Sequence, residues 1–131
     1  MRLLLPILAL AFAAPAAAQP PEPEWRTAVE QDVLLRLYAY EPREIHLAAG
    51  RPVRLYVVNQ SQAALDFSAG AFFRAVRLRP RDADIVRRGG FRLGPGERRA
   101  VDLVAPAGHY HARSSSLYRR LLGMSAEIIV E

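Results

Sequence analysis

The sequence contains no cysteine in 131 residues, and arginine supplies all 18 of its Lys+Arg charges. Without cysteine the chain can form neither a disulfide nor a thiolate–metal bond, so its fold has to hold without covalent cross-links. The absence of lysine, together with the abundance of alanine, indicates genomic base-composition bias rather than selection for one partner. The formal net charge of +5 is therefore a weak indication of what the protein binds.

Long hydrophobic runs are also scarce. The longest begins at Leu3 and ends at Ala14, directly after Arg2. A membrane-spanning helix needs roughly 20 apolar residues, so this run is too short for a stable span. It fits the hydrophobic part of a secretory signal, and Ala16 and Ala18 supply the small residues that a signal peptidase requires. We therefore expect residues 1–18 to be a signal peptide, cleavage before Gln19, and export to the periplasm.

The remaining chain has the pattern of one all-β domain. Residues 19–30 begin with Gln-Pro-Pro-Glu-Pro-Glu and predict an extended linker. Residues 31–131 contain short stretches rich in Val, Ile, Leu and Tyr, separated by glycine and proline, and little helical periodicity. This pattern is typical of a β-sandwich. Residues 69–78 are compatible with either a short helix or an irregular crossover.

Two predicted strands show the alternation of half-buried strands. In the segment 52–58 the side chains of Val53, Leu55 and Val57 share one face, and in the segment 44–47 His46 points away from Ile45 and Leu47. The turn at Ala49-Gly50 between them predicts that the two segments form a hairpin.

Several short motifs occur in an order and spacing that resemble the cupredoxin family, particularly its small periplasmic domains. The motifs are Tyr40-Glu-Pro42, Ile45-x-Leu-x-Ala-Gly50, Pro52-Val-x-Leu-x-Val-x-Asn59, Phe67 with Phe72-Phe73, Gly94-Pro-Gly-Glu97, Pro106-x-Gly-x-Tyr110 and Leu122-Gly-Met124 with the strand that follows. The resemblance covers nearly the whole mature chain. It implies a single cupredoxin-like Greek-key β-sandwich.

The resemblance also implies where a copper ion would be held, by two His, one Cys and one Met. Met124 stands at the position of the axial methionine, whereas Leu65, Ser114 and Arg119 stand at the His, Cys and His positions. Leucine has no lone pair, a serine hydroxyl stays protonated, and a guanidinium repels a cation and cannot become a ligand. We therefore expect vacated ligand positions, no type 1 copper site and no bound cofactor, with Met124 as core packing.

Two other arrangements could give this end of the domain a role. His109 and His111 lie two residues apart on a predicted strand and share a face, so with His46 or Met124 they could form an alternative, remodelled copper site. On the resemblance Tyr110 points inward, which places both histidines on the surface and favours solvated side chains over a metal pair. Asp66 and Arg119 flank the vacated positions and could form an ion pair, unless Asp66 points to the opposite face.

The sequence does not place a nucleophile beside a base in a catalytic pattern, because Ser114-Ser-Ser116 lacks a strand–turn–helix elbow. We therefore expect that the protein is not an enzyme. The basic charge concentrates between Arg74 and Arg99, and a face of this kind attracts acidic proteins or anionic envelope surfaces. Nucleic acid is not expected outside the cytoplasm. The predicted function is a non-enzymatic interaction module that uses its Arg-rich face or the loop end near Arg119; the alternative is periplasmic copper binding or copper handling.

Overall fold

The computed structural model describes residues 12–16 and 20–131. Most of the predicted signal peptide, and the predicted cleavage position before Gln19, lie outside the described residues. Within those described ranges, no helix is both long enough and apolar enough to cross a membrane.

Two five-stranded sheets face each other and enclose one hydrophobic core. The first sheet has the strand order β2-β1-β4-β8-β6 and the second has the order β3-β10-β9-β5-β7. The strands are β1 (Val29–Arg36), β2 (Ala39–Glu41), β3 (Glu44–Leu47), β4 (Pro52–Asn59), β5 (Leu65–Ser68), β6 (Arg77–Leu78), β7 (Gly90–Leu93), β8 (Arg98–Val104), β9 (Gly108–Arg113) and β10 (Ser125–Val130). Two short α-helices, α1 (Gly70–Ala75) and α2 (Leu117–Leu121), lie in the connections. The predicted all-β sandwich is confirmed.

Strand β4 shows how the sequence pattern produces this architecture. It pairs in parallel with β1 and antiparallel with β8, so its backbone groups are satisfied on both sides. Its alternate residues Val53, Leu55 and Val57 are at most 3% exposed and point between the sheets. The period of two therefore builds one wall of the core, as the alternation predicts.

The alternation in β3 is also confirmed, but the predicted hairpin between β3 and β4 is wrong. Strand β3 pairs in parallel with β10 in the second sheet, whereas β4 lies in the first sheet. At the turn, Ala49 N donates to Glu131 O and Gly50 N donates to Ala105 O, so the turn bonds to other segments. A short turn connects strands of two facing sheets as readily as two strands of one hairpin, and local alternation does not distinguish the two cases.

The domain begins before the predicted boundary at residue 31. Strand β1 starts at Val29, and a 3₁₀ turn at Trp25–Thr27 precedes it. Trp25 is 7% exposed, and its Nε1 donates to a Glu22 carboxylate oxygen at 2.6 Å. A tryptophan buried this far contributes to the core, so part of the predicted linker belongs to the folded domain.

The segment 69–78, left open by the sequence pattern, forms helix α1 and then the edge strand β6. Phe72 and Phe73 are 0% and 6% exposed. Their rings contact Tyr110 and Phe67 at centroid distances of 5.4 and 6.3 Å. The two adjacent phenylalanines thus fix the helix against the second sheet.

Candidate functional site

The residues at the expected ligand positions meet at one end of the sandwich. Leu65 opens β5, Ser114 follows β9, Arg119 lies in α2, and Met124 precedes β10. Ser114 N donates to Met124 O at 3.1 Å, and Met124 N donates to Arg119 O at 3.0 Å. We call the region formed by these residues and by the neighbouring β1–β2 turn the loop end.

The Asp66 carboxylate forms the polar centre of the loop end. Oδ1 accepts a hydrogen bond from Ser114 Oγ at 2.7 Å, and Oδ2 accepts from Ser115 N at 2.6 Å and from Ser68 Oγ at 3.0 Å. Asp66 is 9% exposed and Ser114 is 0% exposed. Burial raises the pKa of Asp66, but the bonds from Ser115, Ser114 and Ser68 outweigh it and hold that pKa below its usual range.

Tyr40 supports this centre from the first sheet. Its hydroxyl donates to the backbone oxygen of Asp66, and its ring contacts the ring of Phe67 at a centroid distance of 5.4 Å. Burial, with a smaller contribution from the Asp66 charge, raises the pKa of the Tyr40 hydroxyl. Tyr40 therefore remains a neutral donor and connects the two sheets beside the carboxylate.

The ion pair that the sequence left open between Asp66 and Arg119 is not formed among the described residues. Arg119 Nη1 donates instead to Ala64 O at 3.1 Å, in the loop before β5. Donors from Ser114, Ser115 and Ser68 already bind both carboxylate oxygens, so Asp66 has its partners without Arg119. Both ionic residues still tie the loop end to β5, but through separate partners.

The residues at the loop end do not fit a type 1 copper centre. The Ser114 hydroxyl donates to Asp66, Leu65 offers no lone pair, and the chain contains no cysteine. Met124 is the only residue there with a natural copper-ligand atom, and its side chain is fully buried. A blue-copper centre depends on a thiolate and two imidazoles, so the donor set lacks three of four ligands.

The three histidines lie on the outer surface of the second sheet. His109 and His111 are exposed on β9, and Tyr110 between them packs inward against Phe72, as expected. Glu127 on β10 is directly opposite His111. His46 on β3 is separated from His109 by Ile129.

Met124 is fully buried, so the structure does not bring it together with these imidazoles. Within residues 12–16 and 20–131, no three His, Asp or Glu side chains are grouped to hold a metal ion.

Helix α2 is a feature that the sequence analysis missed. Its apolar side chains point into solvent: Leu117, Tyr118 and Leu121 are 62%, 65% and 77% exposed, and Leu122 after the helix is 48% exposed. Its arginines are turned toward the protein and are only partly exposed. This is the reverse of an ordinary surface helix, whose apolar side faces the core.

The β1–β2 turn extends the apolar surface of α2. Leu37 and Tyr38 are 43% and 41% exposed, and the Tyr38 ring contacts the Tyr118 ring edge-to-face at a centroid distance of 6.2 Å. We call these six side chains the apolar face: Leu37, Tyr38, Leu117, Tyr118, Leu121 and Leu122. Apolar residues at 117, 118, 121 and 122, with arginines between, were the signal in the sequence.

Comparison of the structure with solved structures decides the fold family. Auracyanin from Roseiflexus castenholzii aligns with a TM-score of 0.58 at 14% identity, covering 79% of this chain and 98% of that one. Auracyanin B aligns with a TM-score of 0.58 at 19% identity, covering 86% of this chain and 93% of that one. The fold is cupredoxin-like.

A third solved structure extends the same result. Auracyanin A from Chloroflexus aurantiacus, described as a "blue" copper protein, aligns with a TM-score of 0.56 at 15% identity, over 79% of this chain and 99% of that one. No protein-family model and no curated protein sequence matches the chain. Identities this low establish the cupredoxin-like fold alone, so the function has to be argued from this chain's own residues.

Proposed function

We propose that this protein is an exported, non-enzymatic cupredoxin-like module that binds an acidic protein partner through the apolar face, without a type 1 copper site. The single observation that carries the proposal is the reversed orientation of α2. Four apolar side chains of this region are between 48% and 77% exposed and are contiguous with Leu37 and Tyr38. Exposure of apolar surface to water costs free energy, and burial against a partner would remove that cost.

The charge around the apolar face indicates the chemistry of the partner. From Leu103 to Ala126 the sequence contains no Asp or Glu and three arginines, Arg113, Arg119 and Arg120. The buried Asp66 carboxylate is already bound by serine donors, and Glu41 is paired with Arg36 at 2.8 Å. The apolar face therefore lies in a positive environment, which complements a partner surface with an apolar recess and an acidic rim.

The same charge argues against a second copy of this chain as the occupant. A two-fold contact through the apolar face would bring Arg119 and Arg120 of both copies together, and like charges at an interface are unfavourable. Arg120 Nε is already buried in the described residues without a hydrogen-bond partner. A carboxylate of the partner near α2 would place a negative charge beside this guanidinium group and stabilise it.

The test uses a photo-reactive phenylalanine analogue in place of Tyr118 in cells. As a control, the same analogue replaces Val29, which is 61% exposed and lies at the start of β1 rather than in the loop end. We expect a cross-link to one envelope protein from position 118 only. The cross-linked peptide should contain Asp or Glu beside apolar residues, and Leu117→Ser/Leu121→Ser should abolish the cross-link.

Three outcomes would contradict the proposal: cross-linking only to a second copy of the chain, cross-linking only to lipid, or equal labelling from position 29.

Export is tested on protein purified from the same cells. Intact-mass measurement should show a chain that starts at or within two residues of Gln19, and an uncleaved 131-residue chain would contradict that part of the proposal.

The second candidate function is copper handling through a remodelled site. It is favoured by the placement of His109 and His111 on one exposed face, with the Glu127 carboxylate opposite His111. Three such donors are compatible with Cu(II) if side chains rotate toward one another. A Cu(II) titration that depends on His111→Ala and His109→Ala would support this function, and a titration unaffected by both changes would remove it.

A further inference from the structure

Two groups of arginines in the segment 74–99 differ in their contacts. Asp102, which is 1% exposed, binds Arg54 at 2.7 Å, Arg79 at 3.0 Å and Arg81 at 3.4 Å. Burial raises the pKa of Asp102, but bonds from Arg54 and Arg79 outweigh it and lower that pKa. Arg79 and Arg81 are thus ion-paired with a buried carboxylate, although the Arg81 side chain itself is 61% exposed.

A second group of arginines surrounds a cleft of about 340 Å³ between α1 and the segment 83–89. Arg74 comes from α1, and Arg87 and Arg88 come from the other wall. The only carboxylate bonded to them among the described residues is that of Asp84, which pairs with Arg87. Two more positive charges than negative charges therefore concentrate at one cleft, which makes an anion the favoured ligand.

The floor of the cleft is apolar and its walls are held by backbone bonds. Phe73 and Val86 are 6% and 4% exposed and line the cleft with Leu78. Ala69 N donates to Gly89 O at 2.8 Å, which joins the start of α1 to the opposite wall. The cleft is therefore formed by the fold itself and does not require a ligand to shape it.

Two glycines allow the walls to approach closely. Gly89 has a φ of +80°, and a Cβ there would lie 3.0 Å from Gly70 Cα. A Cβ on Gly70 would lie 3.2 Å from Arg74 Nη1, so the Arg74 guanidinium folds back over the start of α1. A side chain at Gly89 would be strained and would crowd the cleft.

We infer that this cleft binds a phosphate-bearing ligand with a small apolar group, held by Arg74 and Arg88 at the rim and by Phe73 and Val86 at the floor. The planar guanidinium group donates two parallel hydrogen bonds to phosphate oxygens, which suits a phosphate better than a lone monovalent anion. The apolar floor suits the organic part of an aryl or alkyl phosphate monoester, or the acyl-chain carbons nearest the phosphate of a phospholipid. This inference does not depend on the apolar face or on the proposed partner.

The experiment titrates the folded protein with phenyl phosphate, and separately with inorganic phosphate, while backbone amide shifts are followed by NMR. We expect saturable shifts at Gly70 and Gly89 and several-fold tighter binding of phenyl phosphate than of inorganic phosphate. Arg74→Gln/Arg88→Gln should weaken binding at least tenfold. The control Arg43→Gln, an exposed arginine directly before β3 at the opposite edge of the second sheet, should change binding less than twofold.

A second arm measures binding to vesicles of phosphatidylglycerol, with phosphatidylcholine vesicles as the reference. Vesicle binding that is lost in Arg74→Gln/Arg88→Gln assigns the phosphate to a lipid headgroup, whereas binding of phenyl phosphate alone assigns it to a soluble ligand. Either result supports the site. The inference is overturned if neither probe shows binding that depends on Arg74 and Arg88, or if Arg43→Gln weakens binding equally, since general charge attraction would then explain it.

Discussion

At the scale of single residues, the loop end shows how hydrogen bonds to one buried carboxylate hold segments of this cupredoxin-like fold together. Asp66 and Ser114 are 48 residues apart in sequence, and their hydrogen bond of 2.7 Å joins β5 to the segment after β9. Ser115 N and Ser68 Oγ bind the second oxygen of the same carboxylate. One buried carboxylate therefore adds side-chain hydrogen bonds to the backbone pairing that already joins β5 and β9 at Ser68 and Arg113.

Asp66→Asn tests this tie at pH 7. The amide is neutral and retains one acceptor oxygen, so all three donors lose a charged partner and at least one of them also loses its acceptor. Hydrogen bonds to charged groups contribute about 1.5–3 kcal/mol. We expect denaturant unfolding to show a loss of stability of about this size. Asp84→Asn, an exposed carboxylate paired with Arg87, is the matched control and should unfold like the unchanged protein.

The difference between Asp66→Asn and the unchanged protein should depend on pH. Because the pKa of Asp66 is lowered in the folded state, its contribution is fully present above the unfolded value of about 3.9 and is lost as pH falls through the folded pKa. The two proteins should therefore converge in strongly acidic solution. A constant difference across that range would mean that the carboxylate charge does not contribute.

Met124 is predicted to act as a core side chain rather than as a ligand. It is 0% exposed, and only its backbone atoms bond to Ser114 and Arg119. Met124→Leu preserves most of the volume and should cost under about 1.5 kcal/mol, whereas Met124→Ala should cost about 2–5 kcal/mol. Chemical denaturation of both variants measures this, and equal losses would indicate a specific role for the sulfur.

At the scale of elements, the sequence predicts strands better than it predicts which strands pair. Val53, Leu55 and Val57 identify the inner face of β4 because burial imposes a period of two. The same alternation is consistent with a hairpin or with a change of sheet, so the pairing of β3 with β10 was not predictable from Ala49-Gly50. The orientation of α2 was also not predictable from the sequence. An apolar stripe predicts that a helix is amphipathic, but it does not predict which side of the helix faces solvent.

The exposed apolar side chains of α2 should be dispensable for folding. Leu117→Ser/Leu121→Ser removes side chains that are 62% and 77% exposed, so the midpoint of thermal unfolding should shift little. Binding of a hydrophobic fluorescent dye to the folded protein should fall, because the apolar face loses two of its six members. Leu65→Ser, which alters a fully buried leucine of the core, should instead unfold the protein at a clearly lower temperature.

At the scale of the whole molecule, three groups of arginines lie in different surroundings. Arg54, Arg79 and Arg81 surround the buried Asp102, Arg74 and Arg88 rim a cleft, and Arg119 and Arg120 underlie the apolar face. A count of nine arginines between Arg74 and Arg99 does not reveal this division, because it depends on which carboxylates the fold brings near. Net charge therefore predicts long-range attraction better than it predicts a site.

Association with the proposed acidic partner should combine an apolar and an electrostatic component. Raising the salt concentration several-fold above physiological strength, where the Debye length is roughly 8 Å, should slow association and weaken affinity. Dissociation should be accelerated mainly by Leu117→Ser/Leu121→Ser, since tightly buried contacts control the off-rate. Affinity that does not change with salt would contradict the electrostatic component.

The stability of the whole domain should be independent of metal, because hydrogen bonds at Asp66 and apolar packing at Leu65 and Met124 occupy the loop end. Neither a chelator nor added Cu(II) should shift the unfolding temperature through the loop end, and no intense thiolate-to-copper absorption should appear, since the chain has no cysteine.

Leu65→His/Ser114→Cys/Arg119→His would supply His, Cys and His beside Met124 and remove the repelling guanidinium. This variant should develop that absorption with Cu(II) and gain thermal stability as copper saturates it. The matched variant Leu65→His/Arg119→His should stay pale however well it binds copper, because the absorption requires the copper–thiolate bond. If the three-site variant remains folded by circular dichroism and stays colourless with Cu(II), then Leu65, Ser114 and Arg119 are not the positions of lost ligands, and His109 and His111 become the first place to look for copper.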